Sequence, residues 1–300
     1  MKKKTYLFAL MAMVLTLGSC SDNENGIGGE TSKYITVSTS IGNMTRVATD
    51  AKGGQTFEEG DEISVYAWTG APTVAPETSE RVVNNAINKL TNGSWISNPQ
   101  MLWKNNRDKH YFIGVYPISA ISDLSAGEYT FDVNKQTESD LLVAVNPDGL
   151  SYSADAQQTV PLTFTHVMAK LAVNLTYKNQ WGGIPTVEKV VVGNAAKEAT
   201  INYLTKVVTP STTAKEDFSL PEITENTKYV SVIIPQEDVK QLTIVIGGKN
   251  FVYDNGTPFK LESGKITTVN LEVGRDEIKL GDVKITNWED GSTFSGEALN

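Results

Sequence analysis

With 300 residues the chain is long enough for about two domains of ordinary size, and its net charge of −9 argues against nucleic acid as a partner, because phosphate binding needs clustered Lys and Arg. A single cysteine cannot form an intramolecular disulfide, so the fold must be held by an apolar core. Two histidines and no second cysteine leave few ligands for a zinc or iron site, and we expect no metal and no cofactor.

The first nineteen residues have the pattern of a secretory signal peptide. Lys2, Lys3 and Lys4 form a positive region, and residues 6–17 form an apolar segment that is too short to span a bilayer. The run LGSC at residues 17–20 then matches the bacterial lipobox, whose cysteine is acylated, for example with palmitate, and becomes the mature first residue. The sequence predicts a signal peptide over 1–19 and a lipoprotein held in outer-membrane lipid through Cys20; a buried cysteine is the alternative.

Residues 20–32 are predicted to be a lipidated flexible tether. Ser21, Asp22, Asn23 and Glu24 form a short polar, acidic stretch ahead of a glycine-rich segment. The stretch resembles the surface-export signal of Bacteroidetes lipoproteins, which would place the chain on the outside of the cell. The alternative is an ordinary linker, because glycine-rich polar segments are flexible whatever their location.

The mature chain is predicted to be all-β. Apolar and polar residues alternate along most of it, as in strands with one buried face. The first strand is expected over 34–41, and Val173 and Leu175 are expected on the buried face of a later one. Gly247-Gly248 is expected to turn a hairpin, and only residues 81–90 tolerate a helical interpretation. Many short strands between turn residues are typical of sandwiches, which we place at 33–160 and 161–300.

Several landmarks stand in order along the chain. They are the lipobox, Met44-Thr45-Arg46, residues 57–66, residues 164–171, residues 268–275 and residues 285–288. Together they resemble the fimbrillin-like family of Bacteroidetes, the type V pilins and related pilus anchor and tip proteins, and the resemblance covers about residues 32 to 297.

The resemblance implies two transthyretin-like sandwiches and a cell-surface lipoprotein of a fimbrium that functions in adhesion. It also implies assembly with other pilus subunits by donor-strand exchange, in which an arginine-specific protease removes the first strand of a subunit. Arg46 and Val47 then flank the candidate cleavage site, because they follow the first strand in a polar stretch. The alternative is an uncut, solvent-facing arginine, as expected of an anchor subunit that keeps its lipid.

Residues 281–300 form the candidate donor strand. Val283 and Ile285 have the spacing needed to enter two successive pockets of a neighbouring subunit, and Trp288 is predicted to act as a large plug. The alternative is that this strand completes its own domain.

Two tryptophans indicate an alternative function, that of a surface lipoprotein that captures polysaccharide. Trp95 and Trp103 lie in a loop-rich stretch, where exposed rings could bind a glycan or another surface receptor. His166 is expected at a hydrogen bond between domains and His110 at the surface. No acid, base and nucleophile group together in the sequence, so an enzyme is not expected.

Overall fold

A computed structural model describes residues 33–42, 56–153, 158–254 and 256–288. Almost all regular structure in these ranges is β-strand, which confirms the all-β prediction. The leader and Cys20 lie outside the described residues.

The strands of the first part of the chain are β1 (Thr36–Ile41), β2 (Glu62–Thr69), β3 (Val83–Thr91), β4 (Ser94–Asn98), β5 (His110–Tyr116), β6 (Gly127–Thr130), β7 (Leu142–Leu150) and β8 (Thr159–His166). Helical structure in the described ranges is limited to one short helix, α1 (Gln136–Ser139), and two 3-10 turns, Thr78–Glu80 and Asn179–Trp181.

The later strands are β9 (Ala169–Tyr177), β10 (Val187–Ala196), β11 (Glu198–Asn202), β12 (Val207–Pro210), β13 (Lys215–Ser219), β14 (Glu222–Thr224), β15 (Lys228–Ile233), β16 (Gln241–Ile246), β17 (Lys249–Asp254), β18 (Lys265–Val273) and β19 (Ile278–Asn287).

The first eight strands, except β6, form one seven-stranded sheet in the order β1-β8-β7-β5-β2-β3-β4. Apolar side chains of β1, β2, β5 and β8 pack together on one face of this sheet, among them Val37, Ile63, Phe112 and Phe164, and Ile35 directly before β1 joins them. β1 is thus the edge strand at one end of the sheet, and it runs parallel to β8.

The second part of the chain forms a five-stranded sheet, β14-β15-β9-β18-β19, and a four-stranded sheet, β13-β10-β16-β17. Val173 and Leu175 on β9 are buried, as predicted, whereas Thr176 is exposed. β19 is the edge strand of the five-stranded sheet and pairs antiparallel with β18.

Residue 160, the predicted boundary between the two parts, lies within β8. All of β8, including residues 161–166, belongs to the seven-stranded sheet. β6 pairs with β11, and one apolar cluster contains Tyr66 from the first part and Leu171 from the second. The division into two sandwich domains stays a prediction, and sheet membership would place its boundary after His166.

Two local expectations can be compared with the structure. Gly247 and Gly248 form the turn between β16 and β17, and both have the positive φ that a two-residue hairpin turn requires. Residues 83–91 form strand β3 and not a helix. None of the helices in the described ranges has the length and apolar character that a bilayer crossing requires.

Candidate functional site

Strand β1 fills a groove along the edge of the seven-stranded sheet. Its main chain pairs with β8, with Val37 opposite Val160 and Ile41 opposite Phe164. Ile35 and Val37 point into the core and are only 2% and 6% exposed. β1 and the residue before it therefore contribute a ladder of main-chain bonds and two buried side chains to a sheet of which β1 is the outermost strand.

The residues just before β1 also contact the other end of this sheet. The N–H of Ile35 donates to the carbonyl of Met101 at 2.9 Å, and the N–H of Trp103 donates to the carbonyl of Lys33 at 3.2 Å. The segment with β1 thus joins β8 to the stretch that follows β4. Removal of this segment would leave main-chain groups unpaired on both sides of the groove.

Aromatic rings line the groove beneath β1. Phe57 packs edge-on against Trp95, Tyr116 and Phe164, with ring centroids 5.1 to 5.4 Å apart. The indole N–H of Trp95 donates to the Oγ1 of Thr39 at 2.9 Å. This contact was not predicted, but it has a sequence signal, because Thr39 is a polar residue in phase with Ile35 and Val37 on an otherwise apolar face.

The predicted cleavage site follows this strand in the sequence. Arg46 and Val47 lie outside the described residues, so cleavage there stays a prediction.

The candidate donor strand, β19, lies at the other end of the described chain. A bulge at Gly281 shifts the register between Leu280, opposite Leu271, and Val283, opposite Val269. This shift puts Leu280, Val283 and Ile285 on the same face of β19. That face is poorly covered, since Val283 and Ile285 are 38% and 37% exposed.

Trp288, directly after β19, is in contrast buried. Its ring stacks on the ring of His166 with centroids 4.0 Å apart, and the Nζ of Lys170 lies 4.1 Å from the centroid of the indole. The Nδ1–H of His166 donates to the Oδ1 of Asp140 at 2.8 Å. Burial lowers the pKa of Lys170, which the charge of Asp140 partly opposes. The end of β19 therefore packs against residues of β8 and β9, where the first and second parts of the chain meet.

The two tryptophans proposed to contact a ligand have different surroundings. Trp95 is half-buried beneath β1, and Trp103 is 9% exposed and packs edge-on against His110 and Phe112. Trp103 forms part of the wall of an open cleft of about 760 Å³, a size at which small-molecule sites occur. Both rings pack against neighbouring aromatic side chains, and the ligand role stays a prediction.

The prediction that His110 lies at the surface is wrong. His110 is fully buried in β5, where its Nε2 accepts from the N–H of Lys104 at 3.0 Å and its Nδ1 contacts the carbonyl of Asp108 at 3.1 Å. Burial lowers its pKa. The charged turn before it misled the prediction, because His110 is already the first residue of a buried strand.

Metal-ligating side chains do not cluster in the part of the chain that the structure describes. There, no three His, Cys, Asp or Glu side chains come close enough together to hold a metal ion.

Comparison with known proteins gives a family and a fold. The fimbrillin-like family matches residues 45–288. No curated protein matches the chain significantly.

Solved structures with a similar fold include three proteins from Bacteroides. A proposed cell adhesion protein from Bacteroides uniformis has a TM-score of 0.63 at 18% identity, over 86% of this chain and 100% of its own. A proposed cell adhesion protein from Bacteroides ovatus has a TM-score of 0.61 at 18% identity, over 85% and 98%. A fimbrial protein from Bacteroides vulgatus has a TM-score of 0.52 at 13% identity, over 84% and 99%. At these identities the structures show a shared fold, and the family match covers most of the sequence. The chain therefore belongs to the fimbrillin-like family.

Proposed function

We propose that this protein is a subunit of a type V fimbrium that assembles by donor-strand exchange on the cell surface and supports adhesion. The observation that carries the proposal is a contrast in burial between the two edge strands. Ile35, directly before β1, and Val37 in β1 face the core, whereas Val283 and Ile285 of β19 are each more than one-third exposed. A β19 segment from a neighbour could bury its apolar face in the groove that β1 leaves.

The acceptor side of this exchange is the β1 groove. Once β1 is gone, the outer edge of β8 offers unpaired N–H and C=O groups beside two apolar pockets. An added strand satisfies both the main chain and the pockets, and such an edge aggregates if it is left open. Backbone pairing and side-chain burial are sufficient for this function, so the proposal includes no catalytic role.

The donor strand loses contacts when it leaves its own sheet. β19 loses its main-chain pairing with β18, and Trp288 loses its contacts with His166 and Lys170. In the groove, Val283 and Ile285 would move from about one-third exposed to nearly full burial. Trp288 thus opposes release of the strand, and the two smaller residues favour its insertion.

The lipid anchor gives the first prediction. Cys20→Ala is expected to abolish attachment to the outer membrane, because no other cysteine is available to carry the thioether-linked lipid. Metabolic labelling with a palmitate analogue, followed by membrane fractionation, measures this. Ser21→Ala is the matched control and should keep its label; label that persists in the Cys20 variant would rule out this anchor.

The experiment that tests assembly begins at Arg46. Cutting the mature chain with an arginine-specific protease is expected to yield Val47 as a new N-terminus and then a ladder of oligomers, because loss of β1 opens the groove. Mass spectrometry identifies the terminus and gel electrophoresis displays the ladder. Arg46→Ala should give neither. A ladder of the same strength from the uncut Arg46→Ala chain would contradict the proposal.

Glycan capture at Trp95 and Trp103 is the less favoured proposal. The N–H of Trp95 is bonded to Thr39 and its ring packs on Phe57, so this indole serves the β1 groove. The cleft beside Trp103 is the place that supports ligand contact.

A further inference from the structure

The two edge strands share a five-residue pattern. Residues 35–39 read ITVST and residues 283–287 read VKITN. Each segment has apolar residues at its first and third positions and a side chain with a hydrogen-bonding oxygen at its fifth. In each strand these three positions lie on one face, because side chains of a strand alternate.

The fifth position has a defined partner in β1. Thr39 accepts the indole N–H of Trp95, which is half-buried between β1 and the ring of Phe57. If another strand takes the place of β1, this N–H is covered again. A partly buried donor that loses its acceptor costs free energy, so an incoming strand with an oxygen at the same position is favoured.

We infer that Trp95 selects the incoming strand, and that Asn287 of a second copy of this chain supplies the oxygen that replaces the Thr39 hydroxyl. Val283 and Ile285 of that copy then take the places of Ile35 and Val37. The inference rests on the proposed strand exchange, and it adds the register of the incoming strand and the residue that determines specificity.

The same contact fixes the direction of the incoming strand. With Val283, Ile285 and Asn287 in the places of residues 35, 37 and 39, the strand runs parallel to β8, as β1 does. In the opposite direction Ile285 and Val283 could still fill the two apolar pockets, but Gly281 would then face Trp95 and has no side chain to accept its N–H. Ile41 is only half-buried, so an apolar side chain matters less at its position.

The test uses the full chain with a recognition sequence for a site-specific protease inserted after Arg46. After cleavage, fluorescent peptides are added, and their binding in exchange for β1 is followed by anisotropy. The probes are a peptide of residues 281–290, the same peptide with Asn287→Leu, which has a similar size but no acceptor, and a copy of residues 33–42. We expect Asn287→Leu to weaken binding by about tenfold.

The matched receptor variant is Trp95→Phe, which keeps an aromatic ring and lacks the N–H. In this variant the unaltered 281–290 peptide and its Asn287→Leu form are expected to bind equally. Equal binding of both peptides to the wild-type chain would overturn the inference, and this comparison does not depend on the variant. Exchange of the 33–42 copy without exchange of the 281–290 peptide would overturn the assigned partner while strand exchange at the groove stands. Failure of every peptide, the 33–42 copy included, would refute the proposed function itself.

Discussion

Replacing Val283 and Ile285 by serine is expected to weaken the oligomer ladder and to lower the melting temperature of the isolated subunit only moderately. In the subunit both side chains are more than one-third exposed, so only part of their burial free energy stabilises it. In the groove they would occupy pockets in which Ile35 and Val37 are almost completely buried. Full burial of an aliphatic side chain is worth about 1.5 to 3 kcal/mol, and the groove would add the roughly one-third of this that the subunit leaves exposed, so assembly would lose about 0.5 to 1 kcal/mol at each position.

The matched control uses the opposite face of the same strand. Lys284→Ser with Thr286→Ala changes two residues that alternate with Val283 and Ile285, and it should leave the ladder intact. Differential scanning calorimetry of both double variants, with the ladder after cleavage at Arg46, separates the effects. A serine variant that melts early and still assembles would mean that β19 belongs permanently to its own sheet.

Local features of the fold could be predicted from the sequence. The period of two along residues 169–177 placed Val173 and Leu175 in the core, because alternation reports which side chains share a face. The pair Gly247-Gly248 identified its hairpin, since two successive residues with positive φ favour glycine. Both signals are contained within a few residues.

Long-range pairing could not be predicted in the same way. β1 lies parallel to β8 although more than a hundred residues separate them, and no periodicity shows which strand a given edge will meet. For the same reason the predicted boundary at residue 160 falls inside β8, a strand that pairs with β1 and β7 in the seven-stranded sheet. The bulge at Gly281 was also hidden, because its register shift depends on pairing with β18.

The positions of the candidate donor residues could be predicted from the sequence, whereas their burial and their contacts could not. Alternation marked Val283 and Ile285 as one apolar face, but a covered face and an open face give the same pattern. Trp288 was predicted to be a plug for another subunit, and only the packing of β8 and β9 shows that His166 and Lys170 hold its ring. The contact between Trp95 and Thr39 likewise joins residues that are distant in the sequence.

Trp288→Ala is expected to destabilise the subunit and to speed its assembly. The indole is 6% exposed, and truncation of a buried tryptophan to alanine costs about 3 to 5 kcal/mol, because contacts are lost and a cavity is left. For a chain of this size each kcal/mol lowers the melting temperature by about 2 to 4 °C, so a fall of roughly 6 to 20 °C is expected. Val283 and Ile285 remain available for the groove, while the end of β19 is no longer held by His166 and Lys170.

The control Trp288→Phe keeps a ring that can stack on His166, and it should lie between the wild type and the alanine variant in both measurements. Calorimetry of the uncut chain reports stability, and the rate at which the ladder grows after cleavage at Arg46 reports release of the strand. The two roles of Trp288 predict opposite rates. If the indole only holds β19 in its own sheet, it slows assembly, and the alanine variant should assemble faster. If the indole must also insert into the neighbouring subunit, the alanine variant should assemble more slowly. An unchanged melting temperature would mean that the stack on His166 does not hold β19 in place.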